Sequence, residues 1–307
     1  MRLISSQDEW ENLYQQCGKQ HLSQSWAFGE AKRRAENWHP RRVAFEYARK
    51  VVAICMILEK RVCGVRVVSR INKGPLFIGL SPSRQICRDV ISNLRNEWKY
   101  LIHGVLLIAP SLESNAEQLE MLANSGFHKW TRFRWRSSLI DLRRDESDIR
   151  KALKQKWRYN LHLAEKKGLA LNVASAKEDV EWMLERHREN MATKRFKGPS
   201  PELLRALYHE KPEHFFVLQA LFENQPVVGM ILVKHGYSAE YYVGWFGPSG
   251  RKLNAGNFLF WKAVVAMKEQ GCRWLDLGGY SIDDRYGRFK REMNGEEYQL
   301  CGEYICI

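Results

Sequence analysis

Two glycines near the end of the chain separate a short apolar segment from a polar one, and both segments carry residues that could do chemistry. Residues 274–277 are predicted to form a buried strand, because a helical pattern ends before them and Gly278 and Gly279 follow. Asp276 in this strand offers a carboxylate, and Lys290 beyond the polar loop offers a cation. Open α/β sheets place chemistry in loops that leave the carboxyl ends of strands. An ordinary strand followed by a solvated loop would show the same pattern.

The elements around this stretch occur in the same order in both halves of the chain. Each half is predicted to contain a three-strand meander, then a helix, then a further strand. In the first half these elements fall at residues 43–47, 51–58, 62–69, 83–100 and 105–108. In the second half they fall at residues 215–222, 227–235, 240–245, 257–270 and 274–277. This order predicts an α/β (α+β) fold of two tandem domains, each with a mixed, mainly antiparallel sheet flanked by helices.

The boundary between the two predicted domains lies near residues 143–147. A strand at residues 138–142 is predicted to end the first domain, so the domains span residues 1–145 and 146–307. The second domain then opens with a helix over residues 149–168, whose apolar stripe lies beside a basic face. The stripe consists of Ile149, Leu153, Trp157, Leu161 and Ala164, and the basic face of Lys151, Lys154, Arg158 and His162.

The chain of 307 residues is strongly basic, with 49 Lys and Arg against 35 Asp and Glu and a formal charge of +14. This excess favours a polyanionic partner, such as tRNA or a nucleotide-linked substrate. An anionic membrane surface would exploit the same sign, so peripheral membrane contact is an alternative. No apolar stretch approaches the length of a membrane span and no signal peptide is evident, so we expect a soluble, cytoplasmic protein.

Seven cysteines show no C-x-x-C spacing, and most lie in apolar runs. We therefore expect reduced core residues rather than metal ligands or a disulfide framework. The sequence also contains no Ser-His-Asp spacing, P-loop or metal-ligand cluster. The expected chemistry uses no metal.

Several segments together resemble the Fem family (FemA, FemB and FemX) of aminoacyl-tRNA-dependent peptidyltransferases. The most specific covers residues 271–279 and continues with Arg288-Phe289-Lys290 and Gly295-Glu296. Residues 24–32, 72–75 and 157–168 are similar to further family segments. Fem proteins are built from two acetyltransferase-like (GNAT) domains, so the resemblance implies that fold over nearly the whole chain. The segment between residues 168 and 215 is too short for the helical arm of some members, which favours the armless FemX-type layout.

The resemblance implies that an acceptor amine attacks the ester of a charged tRNA and forms an amide. Because this ester is already activated, the enzyme mainly positions the substrates and stabilises an oxyanion. Lys290 is the implied cation at the oxyanion, and Phe289 beside it would pack on the terminal adenosine. Asp276 is either a general base or an anchor of the glycine loop. Charged tRNA is the co-substrate, and no cofactor is expected.

Other residues match substrate contacts of the family. The candidates for substrate binding are Lys32, Lys154, Arg158, Tyr241, Tyr242 and Arg288. The first three correspond to basic positions that contact phosphates, although solvated helix faces carry the same residue types. The two tyrosines lie where the family places a tyrosine near the acceptor, although strand aromatics are more often core residues. The weaker candidates for a general base are Asp283, Asp284 and Glu296, and the amine could also lose its proton to solvent.

The acceptor implied by the resemblance is the stem peptide of a peptidoglycan precursor carried on UDP or undecaprenyl diphosphate. The family commonly has an Asp-Pro pair where this chain has Ala109-Pro110, so a small peptide or amine in natural-product biosynthesis is an alternative acceptor. N-acylation by an acyl-CoA donor and non-catalytic RNA binding also stay open. A CoA site would need a glycine-rich loop at residues 251–257, where the glycine spacing is wrong.

Overall fold

A computed structural model describes residues 1–80, 82–98, 104–131, 135–174, 176–281 and 285–306. These residues form two compact units. Unit 1 comprises Met1–Trp135 together with Gln299–Ile307, and unit 2 comprises Arg136–Tyr298. Each unit has its own mixed, mainly antiparallel sheet with helices packed on it, which is the α/β (α+β) class predicted from the sequence.

Several helices begin at side-chain caps. Ser6, Ser25, Ser83, Asn115 and Ser200 each accept a hydrogen bond from a backbone N–H of the first turn, which satisfies a donor that the helix itself leaves unpaired. The helices are α1 (Gln7–Gln16), α2 (Trp26–Glu36), α3 (Arg84–Glu97), α4 (Ala116–Asn124), α5 (Glu146–Ala152), α6 (Gln155–Glu165), α7 (Lys177–Lys194), α8 (Pro201–Glu210), α9 (Pro248–Lys252), α10 (Ala255–Glu269) and α11 (Arg285–Arg291). Short 3-10 helices lie at Leu22–Gln24 and Pro212–His214.

The strands of unit 1 form one sheet in which all pairs but one are antiparallel. They are β1 (Arg2–Leu3), β2 (His39–Tyr47), β3 (Lys50–Val62), β4 (Val65–Asn72), β5 (Leu76–Phe77), β6 (Val105–Ala109), β7 (His128–Lys129) and, from the end of the chain, β15 (Tyr304–Cys306). Their order is β1-β2-β3-β4-β6-β15-β7, with β5 beside β3. The parallel pair is β4 with β6, in register from Val68 opposite Val105 to Asn72 opposite Ala109.

Unit 2 repeats this arrangement. Its strands are β8 (Arg136–Asp141), β9 (Ala170–Ala174), β10 (Phe215–Phe222), β11 (Gln225–His235), β12 (Ser238–Phe246), β13 (Trp274–Asp276) and β14 (Glu296–Gln299). Their order is β14-β8-β13-β12-β11-β10-β9, and β12 and β13 form a parallel pair. The core lies between the sheet and α10, a helix with buried apolar residues around most of its circumference, which also packs on α6.

The predicted domain boundary is displaced by the pairing of one strand. β8 pairs antiparallel with β13, from Trp274 opposite Asp141 to Asp276 opposite Leu139, so it belongs to the sheet of unit 2. The prediction that residues 138–142 end the first domain is therefore wrong. The corresponding place in unit 1 is taken by β15, which pairs antiparallel with β6. The chain thus passes from unit 1 to unit 2 between β7 and β8 and returns between β14 and β15.

The helix predicted over residues 149–168 is two helices, α5 and α6. Leu153 and Lys154 have extended ψ angles of 140° and 146°, which interrupt the helical backbone between them. The apolar stripe is nevertheless buried from Ile149 to Ala164, as predicted. The break turns the backbone N–H of Lys154 toward the carbonyl of Glu292, 3.0 Å away. The start of α6 is thereby fixed next to the segment that follows α11.

Two further predictions concern the state of the cysteines and the presence of membrane-spanning helices. All seven cysteines are free thiols, and all but Cys63 are buried, in agreement with the predicted reduced core residues. Among the described residues, no helix combines the length and apolar content needed to cross a bilayer.

Candidate active site

Asp276, at the end of β13, holds the glycine loop by backbone and side-chain bonds. Its side chain is only 6% exposed. One carboxylate oxygen accepts hydrogen bonds from the backbone N–H of Gly278, at 2.8 Å, and from the hydroxyl of Ser137. The other accepts a bond from the hydroxyl of Tyr298 at 2.5 Å. These bonds tie β8, β13 and β14 to the loop, so the geometry favours the anchoring role over that of a general base.

Gly278 must be a glycine for two reasons. Its φ of 71° lies in the left-handed region, which side chains with a Cβ rarely adopt. A Cβ at this position would also lie 2.5 Å from the carbonyl oxygen of Tyr241 and 3.6 Å from Nζ of Lys290. The glycine therefore brings the loop backbone against β12 and leaves room for the lysine.

Lys290, on α11, is almost completely enclosed, with 1% exposure. Its Nζ donates to the carbonyl oxygens of Gly278 and Gly279, each at 3.2 Å. The same nitrogen lies 4.8 Å from the ring centre of Tyr241 and 4.5 Å from that of Tyr286, distances typical of cation–π contacts. The loop carbonyls and the two rings thus hold an ammonium group at the carboxyl end of β13.

Tyr241 carries a polar group into this enclosed centre. Its hydroxyl accepts a hydrogen bond from the hydroxyl of Tyr286 at 2.5 Å. Burial raises the pKa of Tyr241 above its usual range, so the phenol stays protonated at neutral pH. Gly244 makes this placement sterically feasible, because a Cβ there would lie 2.0 Å from the Tyr241 hydroxyl.

The sheet is irregular beside this tyrosine. Opposite β11, the register passes from Leu232 and Tyr241 to Ile231 and Val243, so Tyr242 is an extra residue at a β-bulge. On the other side, β12 pairs with β13 only as far as Glu240 and Asp276, whereas β12 itself runs on to Phe246. Beyond Glu240 the two parallel strands are no longer paired, and the Lys290 centre lies at this divergence.

Phe289 packs among protein rings. Its ring centre lies 5.6 Å from that of Trp157, 5.2 Å from Phe260 and 6.5 Å from Tyr286, whose ring plane is nearly parallel to it. The side chain is half-buried. The structure therefore gives Phe289 a clear packing role, and its predicted contact with an adenosine stays a prediction.

Lys154 and Arg158 lie at the start of α6, the helix that presents Trp157 to Phe289. Both side chains are exposed. One guanidinium nitrogen of Arg158 donates to the carbonyl oxygen of Lys151 at 2.7 Å. The two cations thus lie on the outer side of a helix whose inner side packs on the candidate site.

The remaining predicted ligands are less closely associated with Lys290. Arg288 is 70% exposed and forms an ion pair with Glu292 at 2.9 Å. Tyr242 is half-buried. Lys32 lies in unit 1, where it forms an ion pair with Glu36 at 2.8 Å. The structure therefore brings Lys290, Phe289, Asp276 and Tyr241 together within unit 2.

Asp283, Asp284 and Glu296 are the remaining candidates for a general base. Asp283 and Asp284 lie outside the described residues. Glu296, on β14, is exposed. Within the described ranges, no three His, Cys, Asp or Glu side chains are grouped so that they could hold a metal ion.

Three residues of the centre were missed by the sequence analysis. Tyr286 could have been found, because it precedes Lys290 by four positions and one turn of helix brings such residues to the same face. Ser137 and Tyr298 had no comparable signal. They approach Asp276 only because β8 and β14 join the sheet of unit 2 from distant parts of the chain.

The turn into α10 bears on a CoA site. The backbone N–H groups of Arg251, Leu253 and Asn254 donate to carbonyls within the α9 turn, at 3.1 to 3.3 Å. Gly256 allows close packing, because a Cβ there would lie 3.0 Å from the ring of Phe246 and that ring would have to shift. The three N–H groups are thus used within the α9 turn, and α10 begins after them at Ala255.

The topology of both units and the divergence of β12 from β13 define a tandem GNAT-like fold. The profile of the acetyltransferase (GNAT) domain matches residues 147–291. A search of curated protein sequences finds no match. The tandem GNAT-like fold predicted from the sequence is therefore confirmed.

Solved structures with this fold cover almost the whole chain. FemX is similar with a TM-score of 0.80 and 14% identity, covering 100% of this chain and 97% of FemX. A tandem GNAT protein from the clavulanic acid biosynthesis pathway has a TM-score of 0.57 and 11% identity, covering 99% and 97%. The C-terminal domain of a putative lysylphosphatidylglycerol synthetase from Agrobacterium fabrum has a TM-score of 0.55 and 14% identity, covering 98% and 92%. The Fem resemblance is thus confirmed in the fold, and the armless layout stays a prediction.

Proposed function

We propose that the chain is an aminoacyltransferase that moves an amino acid from a charged tRNA to an amine acceptor and forms an amide bond. The observation that carries this proposal is the enclosed ammonium group of Lys290 at the divergence of β12 and β13. A fixed cation in a water-poor site suits a reaction in which negative charge develops on a carbonyl oxygen.

In the proposed reaction the acceptor nitrogen attacks the carbonyl carbon of the ester. The new C–N bond forms a tetrahedral oxyanion, and collapse of this intermediate breaks the C–O bond to the ribose. The nitrogen loses a proton and the ribose oxygen gains one, with solvent as the carrier. An oxyanion competes well with the neutral carbonyls of Gly278 and Gly279 for an N–H of Lys290, because charge-assisted hydrogen bonds are the stronger ones.

Tyr286 and Asp276 position the cation in this proposal. Tyr286 lies against the ammonium group and bonds to Tyr241, so it restricts where Nζ can point. Asp276 fixes the loop whose carbonyls hold Nζ. Both residues act through Lys290, and Lys290 is the catalytic residue that would touch the reacting oxygen.

Three observations support charged tRNA as the proposed donor. A formal charge of +14 suits a long polyanion, and the glycine spacing at residues 251–257 does not match a loop that binds the pyrophosphate of CoA. The similarity to FemX in fold over the full chain supports the same choice. Charged tRNA is then the co-substrate, the ester needs no further activation, and no cofactor takes part.

For the acceptor we propose the stem peptide of a peptidoglycan precursor on UDP or a lipid carrier, handled in the cytoplasm. Lys32, Lys154 and Arg158 are the proposed phosphate contacts, Arg288 a further contact, and Tyr241 and Tyr242 the residues nearest the acceptor. Ala109 stands where a Fem carboxylate is expected. A small peptide or amine is therefore the second acceptor class to test.

The test is a label-transfer experiment with matched donors. The protein is incubated with tRNA carrying labelled amino acids, or with labelled acetyl-CoA, and with UDP-linked stem peptide or small amines. We expect label to reach an amine from charged tRNA, and pretreatment of the donor with RNase to abolish transfer. Transfer from acetyl-CoA that resists RNase would show CoA-dependent acylation instead. Binding of tRNA without any transfer would indicate an RNA-binding protein.

A further inference from the structure

The ends of three helices in unit 2 carry a group of basic side chains, here called the basic ridge. It consists of Lys167, just beyond α6, Lys194 and Lys197 at and beyond the end of α7, and Arg251 and Lys252 at the end of α9. All but Lys167 are exposed, and Lys167 is half-buried.

Two contacts show that these helix ends are neighbours. Nζ of Lys167 donates to the backbone carbonyl oxygen of Lys252 at 2.9 Å, which joins α6 to α9. Asn190 of α7 donates to the carbonyl oxygen of Gly244 at 3.4 Å, three residues before the N-cap of α9 at Gly247. In agreement with this placement, partial burial and the nearby charge of Arg251 lower the pKa of Lys194. Cations near helix C-termini suit the helix dipole individually. The helix dipole does not explain why Lys194 and Arg251, which belong to different helices, lie close enough for one charge to disfavour the other.

The ridge also differs from the other charged surfaces of unit 2. Over the described parts of the chain, none of its side chains forms an ion pair with a carboxylate. Many other arginines of the unit do form such pairs. These are Arg143, Arg150, Arg186, Arg188, Arg205 and Arg288. A concentration of cations without carboxylates is suited to an external polyanion.

The ridge adjoins the Lys290 centre through direct packing. Gly256, in the first turn of α10, follows α9 closely, and a Cβ there would be 3.0 Å from Phe246 and 3.9 Å from Phe289. On the other side, Asn190 of α7 donates to the carbonyl oxygen of Gly244 at 3.4 Å, on the strand that carries Tyr241. Thus α7 packs on the strand that carries Tyr241, and α9 leads directly into α10, whose first turn faces Phe246 and Phe289.

An exposed aromatic ring lies within the ridge. Phe196, between Lys194 and Lys197, is 41% exposed, and its ring touches His187 edge-on at a centroid distance of 6.2 Å. An exposed aromatic ring that packs against His187 and is flanked by cations offers a stacking surface for a nucleic-acid base.

We infer that the basic ridge docks the phosphodiester backbone of the donor RNA next to its acylated end, with Phe196 stacking on an unpaired base. The inference rests on the proposed function for the identity of the donor, whereas the contact between ridge and RNA can be measured without catalysis. It assigns the ridge to the body of the RNA and leaves the ester carbonyl to Lys290.

The test measures binding of uncharged tRNA to the full chain by fluorescence anisotropy over a range of salt concentrations. The ridge variant combines Lys194→Gln, Lys197→Gln and Arg251→Gln. We expect its affinity to fall on the order of tenfold or more at moderate salt, and the slope of log affinity against log salt to shrink by about 2. Phe196→Ala alone should weaken binding about tenfold with little change in that slope.

A matched control removes the same amount of charge elsewhere in unit 2. It combines Arg144→Gln, Lys177→Gln and Arg188→Gln, three exposed residues outside the ridge. We expect this control to bind tRNA nearly as well as the unmodified chain. Thermal unfolding of both variants checks that each stays folded. Equal binding by the ridge variant and the unmodified chain would overturn the inference.

Two further arms separate the alternatives. Vesicles of phosphatidylcholine and phosphatidylglycerol replace the RNA in the first. If the ridge variant loses vesicle binding and keeps tRNA binding, the ridge is a membrane surface and the inference is wrong. The second arm compares transfer from charged tRNA with transfer from an aminoacylated trinucleotide that lacks the rest of the RNA. We expect the ridge variant to lose kcat/KM on the full tRNA and to keep it on the short donor.

Failure of the inference can be distinguished from failure of the proposed function. If the unmodified chain transfers label from charged tRNA and the ridge variant does so equally well, the donor is right and the docking surface is elsewhere. If the unmodified chain transfers no label but ridge-dependent tRNA binding remains, the inference stands and the proposed reaction fails.

Discussion

The two units share one topology, and they differ at the end of the parallel strand pair in each sheet. In unit 1 the parallel strands β4 and β6 stay paired up to Asn72 and Ala109, where both strands end. In unit 2 the pairing of β12 with β13 stops at Glu240, because β13 ends at Asp276, and β12 continues to Phe246. Strands that stay paired satisfy their own backbone groups, whereas a strand that continues beyond its partner has backbone groups that other residues can approach. The proposed chemistry belongs to unit 2, where this happens.

Lys32, predicted to bind substrate, and Lys290, predicted as the catalytic cation, also differ in their surroundings. Lys32 in unit 1 is held by Glu36 in an ion pair one helical turn away, a contact typical of a helix surface. Lys290 in unit 2 is held by backbone carbonyls and aromatic rings in an enclosed site. The two lysines therefore lie in different surroundings, a helix surface in unit 1 and an enclosed aromatic site in unit 2.

Gly278→Ala should affect the opening in unit 2 most strongly. The substitution combines a left-handed φ with a Cβ 2.5 Å from the carbonyl oxygen of Tyr241, so we expect a loss of about 3 kcal/mol in the free energy of unfolding and loss of transfer. Gly168→Ala is the matched control, because Gly168 has φ 69° with open space around it. It should lose about 1 kcal/mol. Equal losses, measured by urea unfolding, would mean that close packing at Gly278 is unimportant.

Asp276→Asn tests whether the loop must be anchored. Replacing one carboxylate oxygen by an NH2 group sets a donor against a donor in a buried site, so we expect a loss of about 2 kcal/mol in unfolding free energy and slower transfer. The control is Asp148→Asn, where an exposed ion pair with Lys151 contributes little. An Asp276→Asn variant as stable as the control would contradict the anchoring role.

Tyr286→Phe removes one hydroxyl and keeps the ring. The lost hydrogen bond to Tyr241 should lower the unfolding free energy by about 1 kcal/mol, and transfer should slow by a few-fold because Lys290 is less well positioned. Tyr159→Phe, at an exposed tyrosine, is the control and should change neither quantity. Unchanged transfer in Tyr286→Phe would remove Tyr286 from the positioning of Lys290.

The smallest expected effect is a pH dependence confined to unit 2. Burial, together with the charge of Lys211, lowers the pKa of His214 to about 4, against about 6.5 in an unfolded chain. Because the folded state disfavours the proton, this contribution to stability is complete above pH 6.5 and decreases as pH falls toward 4. Allowing for partial exposure, we expect a loss of about 1 kcal/mol between pH 7 and pH 5. His214→Gln should reduce this loss, and an identical pH profile would exclude His214 as its source.

Local patterns predicted the strands and the glycine loop, because each depends on residues close together in sequence, whereas Lys290 was predicted from the Fem resemblance. They failed at β8 and β15, whose sheets are decided by long-range pairing with β13 and β6. They also failed at residues 153–154, where the apolar stripe continues through a break in the helix. Apolar spacing reports which side is buried, and it does not report a single extended backbone step between two helices.

The roles within the site were harder to predict than its position. The sequence alone is compatible with Asp276 as a general base or as an anchor of the glycine loop. The hydrogen bonds that Ser137, Gly278 and Tyr298 donate to its carboxylate favour the anchor. The basic ridge could not be predicted from the sequence, because its residues come from the ends of three helices separated by long stretches of chain.

The most direct measurement is single-turnover transfer from charged tRNA by Lys290→Met, with Lys177→Met as the matched control on an exposed lysine. If the Lys290 ammonium group stabilises the oxyanion, transfer by Lys290→Met should be slower on the order of a hundredfold, with unfolding still cooperative and tRNA binding unchanged. The control should transfer at the rate of the unmodified chain. Near-normal transfer by folded Lys290→Met would contradict the central claim.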